Sequence, residues 1–147
     1  DITDPVQQLH CVMRAHFEKQ KILSRPEYSV FKVIEDDLAD TNYRVFAQTC
    51  LGEILKSSDQ AAFRSINSKR VDMLVVDWTG LPAVAIEYQG NGHYQGTAAA
   101  RDAVKKEALR KAGVKYIEIS DGETAEQIRY RLHEALGHLA PSRHSAA

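Results

Sequence analysis

The sequence predicts one α/β domain built around a mixed β-sheet. Two apolar, strand-like segments lie close together between residues 71 and 89, so they are expected to pair as an antiparallel hairpin. A helix-forming stretch over 98–112 follows, and another strand-like segment comes after it at 114–119. A strand reached through a helical crossover can lie parallel to the strand before it. The 147 residues are enough for one ordinary domain.

The chain is predicted to begin with two helices. Asp4 and Pro5 suit the N-cap and the first helical position, and apolar residues follow at helical spacing, which predicts an amphipathic helix over 5–20. Pro26 should open a second helix that ends near Leu38.

Strands and helices are expected to alternate over the rest of the chain. The predicted elements are a strand at 43–51, a partly helical connection at 52–68, strands at 71–78 and 83–89, a helix at 98–112 ended by Gly113, a strand at 114–119 and a helix at 125–136. The predicted organisation is a helical extension over 1–22, a domain over 23–138 and a disordered tail over 139–147.

Composition excludes several classes of protein. A net charge of −1, with 44% hydrophobic and 27% charged residues, indicates a globular chain rather than a generally basic nucleic-acid binder. No apolar run approaches the ~20 residues that a membrane-spanning helix needs, so we expect a cytoplasmic protein. The first residue is Asp1 rather than methionine, which leaves open an upstream segment such as a membrane anchor.

The cysteines and histidines form no recognisable metal motif. Cys11 and Cys50 lie far apart and neither belongs to a C-x-x-C pair, so two reduced, buried thiols are expected. The six histidines are scattered and do not show the spacing of zinc ligands.

Carboxylates within apolar strands are the most informative residues. Asp72 lies in the first hairpin strand and Glu87 in the second, although ionised carboxylates are rarely buried without a partner or a metal. A two-residue turn at Thr79–Gly80 would place Asp72 opposite Glu87, and a four-residue turn at Thr79–Pro82 would place it opposite Gln89. Either turn puts the three side chains on one face, with opposed Cβ atoms about 4.5–5.5 Å apart.

Two interpretations of this pair are open. One is a metal site, because Mg²⁺ needs only one or two protein carboxylates, and two such carboxylates would otherwise share a proton. The other is structural: Asp72 pairs with Lys69 or Arg70, and Glu87 pairs with a lysine of the following helix.

Basic residues flank both acidic positions. Two of them directly precede Asp72, and residues 101–115 carry six basic side chains against two acidic ones. Such clusters are often only solvated helix surface, but their place beside the carboxylates favours contact with phosphate groups. The candidate nucleic-acid-binding residues are Lys69, Arg70, Arg101 and Lys106.

The sequence resembles the core of the PD-(D/E)XK nuclease superfamily, in which a helix with a glutamate precedes three strands, with Asp on the second and Glu-x-Lys on the third, and then a helix and a strand. The segments that carry this resemblance are Glu27, Arg70-Val71-Asp72-Met73-Leu74-Val75-Val76 and Ala85-Ile86-Glu87-Tyr88-Gln89. Further segments resemble the branch of very-short-patch-repair-like endonucleases and related bacterial domains of uncharacterised function: Gly92-His93, Arg101-Asp102-Ala103-Val104-Lys105 and Ala112-Gly113-Val114.

The resemblance covers about residues 25–120 and implies a restriction-endonuclease-like αβββαβ core, with extra N- and C-terminal helices. It also implies a DNA endonuclease that depends on Mg²⁺ or Mn²⁺. By this resemblance Asp72 and Glu87 would be metal ligands, Glu27 a third ligand, and the carbonyl of Tyr88 would complete the set.

The sequence departs from the family at Gln89, where the lysine that orients the attacking water is expected. A glutamine can position water by hydrogen bonding but carries no charge. Lys105 is the best substitute, because it follows Asp102 by three residues and so lies on the same helical face. This position resembles that of some superfamily members, which carry the lysine on the helix after the third strand. Lys106 is the second choice.

The roles of two further residues can each be interpreted in two ways. His93 follows a Gly-Asn-Gly turn and is expected either to take part in proton transfer or phosphate contact, or to be an exposed loop histidine. Asp102 either orients His93 or Lys105, or forms an ion pair on the helix surface.

The sequence therefore predicts a metal-dependent phosphodiesterase that cleaves DNA through a metal-activated water, with Asp72, Glu87, Gln89, Lys105 and His93 as catalytic candidates. The alternative is a catalytically inactive nuclease-fold module that binds nucleic acid or a protein partner, which Gln89 and the near-neutral charge favour. A small α/β ligand-binding domain is a third hypothesis, although no glycine-rich phosphate loop follows the first strand. The N-terminal helix could support a homodimer.

Overall fold

A four-stranded mixed sheet flanked by helices forms the body of the protein. The computed structural model describes residues 3–90 and 97–137. The strands are β1 (Arg44–Cys50), β2 (Arg70–Val76), β3 (Pro82–Gln89) and β4 (Lys115–Ser120). The helices are α1 (Pro5–Arg14), α2 (Arg25–Leu38), α3 (Gln60–Ile66), α4 (Thr97–Lys111) and α5 (Ala125–Leu136), with a short 3₁₀ turn at Leu51–Glu53.

The sheet has the order β1–β2–β3–β4. β2 pairs with β1 and β3 antiparallel, whereas β3 and β4 are parallel and joined through α4. The predicted hairpin, helical crossover and parallel neighbour are therefore confirmed. Predicted and observed bounds agree within two residues for every strand and for α2, α4 and α5, and the partly helical connection predicted over 52–68 contains α3.

Helices cover both faces of the sheet. α2 and α5 pack on one face, where Ile34 and Leu132 meet Met73 and Ile86 in a common core. α3 and α4 pack on the other face, which buries a second set of residues including Leu51, Leu74 and Leu109. β2 and β3 are apolar on both sides because they are covered on both sides. A carboxylate in either strand is therefore an exception.

The N-terminal helix is shorter than predicted. It ends at Arg14, and the next residue, Ala15, has extended backbone angles, so the prediction of a helix through residue 20 was wrong. None of the α1 residues is buried. Helices of this length depend on tertiary packing for their stability, and here no packed face extends the helix beyond its tenth residue.

The hairpin turn differs from both predicted turns. The strands end at Val76 and begin again at Pro82, and the carboxylate of Asp77 accepts hydrogen bonds from the backbone N–H groups of Thr79 and Leu81. A bulge between the pairs Val75–Val84 and Val76–Pro82 compensates for the odd number of connecting residues.

The register beyond the bulge is the one that the two-residue turn would have produced. Leu74 pairs with Ala85 and Met73 with Ile86, so the next positions along the strands are Asp72 and Glu87.

Three further expectations concern cysteines, membranes and loops. Cys11 and Cys50 are both free, but neither is fully buried, so the prediction of buried thiols was wrong. No helix within 3–90 and 97–137 combines the length and the apolar character that crossing a membrane requires. His93 and the tail over 139–147 lie outside the described residues.

Candidate functional site

An open cleft of about 540 Å³ lies at the end of the hairpin that is remote from its turn. It is formed by the first residues of β2, the last residues of β3, the first turn of α2 and the first half of α4. Four acidic and four basic side chains line it, so its charge is mixed rather than uniformly positive. These residues are Glu27, Asp72, Glu87, Asp102, Lys69, Arg70, Arg101 and Lys105, together with Ser68 and Tyr88.

Backbone N–H groups of the two strands hold the carboxylates of Asp72 and Glu87 at the end of the hairpin. The N–H of Asp72 donates to Oε2 of Glu87 at 3.1 Å, and the N–H of Tyr88 donates to Oδ2 of Asp72 at 2.8 Å. Each carboxylate thus accepts a bond from the opposite strand, where a regular ladder would use carbonyl oxygens. The two carboxylates are held in place by the sheet itself.

Burial makes it costly to ionise both carboxylates of the pair. Burial, followed by the neighbouring charge of Glu87, raises the pKa of Asp72 from its ordinary 3.8 to about 7, against the opposing hydrogen bond from the Tyr88 N–H. Glu87 itself is buried, with 7% of its surface exposed. Two carboxylates so close, one of them within the apolar layer, create a local demand for a cation.

Lys105 is the basic side chain that reaches this pair. Its Nζ contacts Oε1 of Glu87 and also donates to the carbonyl oxygen of Arg70 at 3.0 Å. The side chain of Lys105 is 19% exposed, so its ammonium lies at the wall of the cleft rather than in bulk water. The family resemblance and the helical spacing together predict a role for Lys105, and the structure brings its ammonium to Glu87.

Glu27 also lines the cleft, but one of its oxygens is already engaged. Its Oε1 accepts a hydrogen bond of 2.7 Å from the N–H of Ser24, and Ser24 in turn caps the N–H of Glu27. This capping box starts α2 and directs Glu27 to the helix N-terminus. Its charge still contributes to the raised pKa of Asp72.

Gln89 is directed away from the pair. Its Nε2 donates to Oε2 of Glu118 on β4. The parallel register explains this contact, because Glu87 lies beside Glu118 and Gln89 lies beside Ser120. In this arrangement Gln89 contacts neither Asp72 nor Lys105.

Lys106 belongs to a second network beside the cleft. Its Nζ lies 2.7 Å from Oε1 of Glu118 and 3.3 Å from Oδ2 of Asp102, and it stands 5.3 Å from the ring centre of Tyr116. Hydrogen bonding to Glu118 is the main cause that raises the pKa of Lys106. The hydroxyl of Tyr116 donates to Asp102 at 3.2 Å. Asp102 therefore pairs with Lys106, not with Lys105.

Sequence reasoning missed Glu118 and Tyr116. Both lie on the face of β4 that continues the face of Glu87 and Gln89, since residues two apart in a strand point the same way. Their alternation in β4 was visible in the sequence, but their neighbours depended on the register between β3 and β4.

The remaining candidates lie at the rim or outside the described chain. Arg70 and Arg101 are exposed, and Lys69 is half-buried with its Nζ bonded to the carbonyl oxygen of Ser65 at 2.8 Å. All three line the cleft. His93 cannot be placed relative to them because it lies outside the described residues.

The residues present fit a hard divalent cation better than a transition metal. Within 3–90 and 97–137, no group of three or more His, Cys, Asp or Glu side chains is placed to hold a metal ion. Mg²⁺ does not require one, since it keeps several waters and binds one or two carboxylates together with substrate phosphates. Asp72 and Glu87 supply such oxygen donors, and burial together with the neighbouring Glu87 raises the pKa of Asp72.

Comparison with known sequences assigns the chain to a family. A family model described as "Protein of unknown function (DUF2726)" matches residues 19–136. The chain belongs to the DUF2726 family. The matched region runs from before α2 to the end of α5, so the DUF2726 domain contains every described residue of the cleft and excludes α1.

Two bacterial relatives are similar to this chain. A protein of Sinorhizobium fredii, "Uncharacterized protein y4bI", is 47% identical over 126 residues, which are 84% of this chain and 91% of the relative. A Haemophilus influenzae protein, also named only as uncharacterized, is 43% identical over 120 residues, which are 80% of this chain and 63% of that protein. The match thus spans less than two thirds of the Haemophilus protein. No solved structure matches the chain.

Proposed function

We propose that this DUF2726 domain is a divalent-cation-dependent phosphodiesterase that hydrolyses DNA in the cleft at the end of the hairpin. The observation that carries the proposal is the arrangement of Asp72, Glu87 and Lys105. Two carboxylates fixed by cross-strand hydrogen bonds face a lysine ammonium from another element. This combination suits a reaction at a phosphate, where negative charge has to be neutralised and a water positioned.

The order of elements supports a restriction-endonuclease-like core. Apart from the 3₁₀ turn and α3, which lie between β1 and β2, the elements α2, β1, β2, β3, α4 and β4 have the αβββαβ order, with the Asp on β2 and the Glu on β3. The mixed sheet, antiparallel up to β3 and parallel at β4, agrees with that assignment.

Asp72 and Glu87 would hold the cation, with Glu27 able to add its charge from the start of α2. A bound Mg²⁺ or Mn²⁺ supplies charge neutralisation at the phosphate and lowers the pKa of a water. Ionisation of Asp72 becomes favourable once a cation compensates its burial, since the pKa of Asp72 is raised by burial and by Glu87.

Lys105 would act on the water and on the phosphate. An ammonium has three N–H donors, and two acceptors of Lys105 are the Glu87 carboxylate and the Arg70 carbonyl. The third N–H can donate to an attacking water or to a non-bridging phosphate oxygen. Lys105 would therefore have the role of the family's lysine, whose place in the sequence is occupied by Gln89.

The basic rim would hold the flanking phosphates. Lys69, Arg70 and Arg101 line the same cleft as the acidic pair. Phosphate contacts position a nucleic acid without reading its sequence, so these residues are expected to contribute affinity but little specificity.

The test is a cleavage assay with supercoiled plasmid, single-stranded DNA and RNA, each with Mg²⁺, with Mn²⁺ and with EDTA. Asp72→Asn and Glu87→Gln remove charge with little change of shape. The matched control is Asp36→Asn, which removes an exposed carboxylate from α2, far along the helix from Glu27. We expect metal-dependent cleavage of DNA that both site variants abolish and the control retains.

Unchanged cleavage in either site variant would refute the assignment. A specific observation favours the alternative of a binding module: Gln89 is bonded to Glu118 and offers nothing to Asp72. Binding of DNA with no cleavage in any metal, lost in Arg101→Ala, would establish that alternative.

A further inference from the structure

Helix α1 carries an apolar stripe that no residue within 3–90 and 97–137 covers. Val6, Leu9, Val12 and Met13 lie within about one third of the helix circumference at 100° per residue. They are 61%, 57%, 52% and 72% exposed. No residue of α1 is buried. Scattered exposed apolar residues are normal, but a continuous stripe indicates a contact surface.

The domain carries an apolar groove that matches such a stripe. A groove of about 650 Å³ runs between α3 and α4, and it lies apart from the cleft of Asp72 and Glu87. Its apolar lining includes Leu55, Ala62, Ile66, Ala103, Val104 and Ala108. The alanines leave room for larger incoming side chains, and Val104 is 38% exposed in the absence of any cover.

The chemistry of the two surfaces is complementary. Val6, Leu9 and Met13 have the i, i+3, i+7 spacing with which a helix fills an apolar groove. The rim of the groove carries both signs of charge, on Lys111 and Glu107. Glu107 is already paired with Arg110, so the apolar spacing is what matches the two surfaces.

The area of contact favours two copies that exchange helices. A ten-residue helix is about 15 Å long and about 10 Å wide, and a single contact of that size is small beside the roughly 1,200–2,000 Å² of a stable interface. A two-fold symmetric pair makes the contact twice. The segment between α1 and α2 is not helical, which gives the exchanged helix length to cross to the other copy.

We propose that α1 of one copy docks in the α3–α4 groove of a second copy, and that the exchange is reciprocal. The proposal concerns assembly and does not depend on the phosphodiesterase activity.

The test is sedimentation velocity of the full chain over about a hundred-fold range of concentration. One variant, Leu9→Asp with Val12→Asp, alters the stripe. Because no residue of α1 is buried, we expect this variant to fold like the wild type. The other, Val104→Asp, alters the groove. We expect a wild-type dimer whose Kd rises at least about tenfold in each variant.

Mixing the two variants gives the sharpest outcome. The stripe variant keeps an intact groove and the groove variant keeps an intact stripe, so an equal mixture can still form one of the two contacts. We expect the mixture to associate more tightly than either variant alone. The matched controls are Gln7→Asp on the polar side of α1 and Tyr130→Asp, which removes a comparably exposed side chain from α5. Both should dimerise like the wild type.

Three results would overturn the proposal. The first is a monomer at every concentration. The second is a dimer that the stripe variant breaks but the groove variant does not, without rescue on mixing, which would mean that α1 packs on α1. The third is binding of the wild type to anionic vesicles, lost in the stripe variant, with no dimer in solution; this would assign α1 to a lipid surface.

Discussion

The ammonium of Lys105 on α4 contacts the carboxylate of Glu87 on β3, and it also donates to the carbonyl oxygen of Arg70 on β2 at 3.0 Å. One side chain thus links the crossover helix to both strands of the hairpin. The contact sets the position of the only ammonium within the described chain that touches the Asp72–Glu87 pair.

Removal of this ammonium should affect both stability and activity. In Lys105→Met, Glu87 is left buried without its cation, so we expect the free energy of unfolding at pH 8 in EDTA to fall by about 1–3 kcal/mol. Cleavage should fall at least about 100-fold. Urea unfolding and plasmid cleavage measure the two effects. Lys115→Met, which removes an exposed lysine from β4, is the control and should change neither.

Neutralisation of Asp72 should stabilise the protein at alkaline pH. The folded pKa of Asp72 is about 7 and lies above its ordinary 3.8, so the folded state binds this proton more tightly than the unfolded state. Stability is therefore lost as the pH rises from about 4 to about 7, and the penalty is complete above that range. Asp72→Asn avoids the penalty.

We expect Asp72→Asn to be more stable than the wild type at pH 8 in EDTA by on the order of 1 kcal/mol, and about equally stable at pH 4. Mg²⁺ should raise the melting temperature of the wild type at pH 8 and leave that of the variant unchanged. A variant that gains the same stability at both pH values would contradict the role given to burial and Glu87.

Lys106 should matter much less than Lys105. It is paired with Glu118 and Asp102, and 44% of its side chain is exposed. Exposed pairs of this kind contribute little, so Lys106→Met should change the free energy of unfolding by less than about 1 kcal/mol. Cleavage should fall by less than about tenfold. If Lys106→Met abolished cleavage while Lys105→Met did not, the functional lysine would be Lys106.

The basic rim should be visible in the salt dependence of DNA binding. Each phosphate contact contributes about 0.9 to the slope of log Kobs against log salt. We expect Arg101→Ala to weaken binding to unrelated duplexes equally and to lower that slope by about 0.9. Fluorescence anisotropy in EDTA measures this without cleavage, with Lys115→Ala as the control. Unchanged slopes would exclude Arg101 from the nucleic-acid surface.

Much of the fold and part of the site could be predicted from local patterns. The strand positions of Asp72 and Glu87, the helix over Lys105 and the break at Gly113 follow from periodicities of two and 3.6 residues and from turn residues. These signals act between residues near each other in the chain. Helical spacing also placed Lys105 on the face of Asp102, although the structure pairs Asp102 with Lys106.

The neighbours of each site residue were decided by tertiary structure. The parallel register of β3 and β4 pairs Gln89 with Glu118, and the packing of α4 turns Asp102 toward Lys106 and Tyr116. A bulge, not the length of the turn, brought Asp72 opposite Glu87.

The sequence by itself determined which carboxylates lie in the hairpin, because alternation and turn residues are short-range properties. Only the tertiary structure decided that Lys105 reaches Glu87 and that Gln89 does not reach Asp72. Lys105 and Glu87 are 18 positions apart in the chain, and Gln89 and its actual partner Glu118 are 29 positions apart. The geometry of both contacts depends on how a whole helix and a whole strand pack on the sheet.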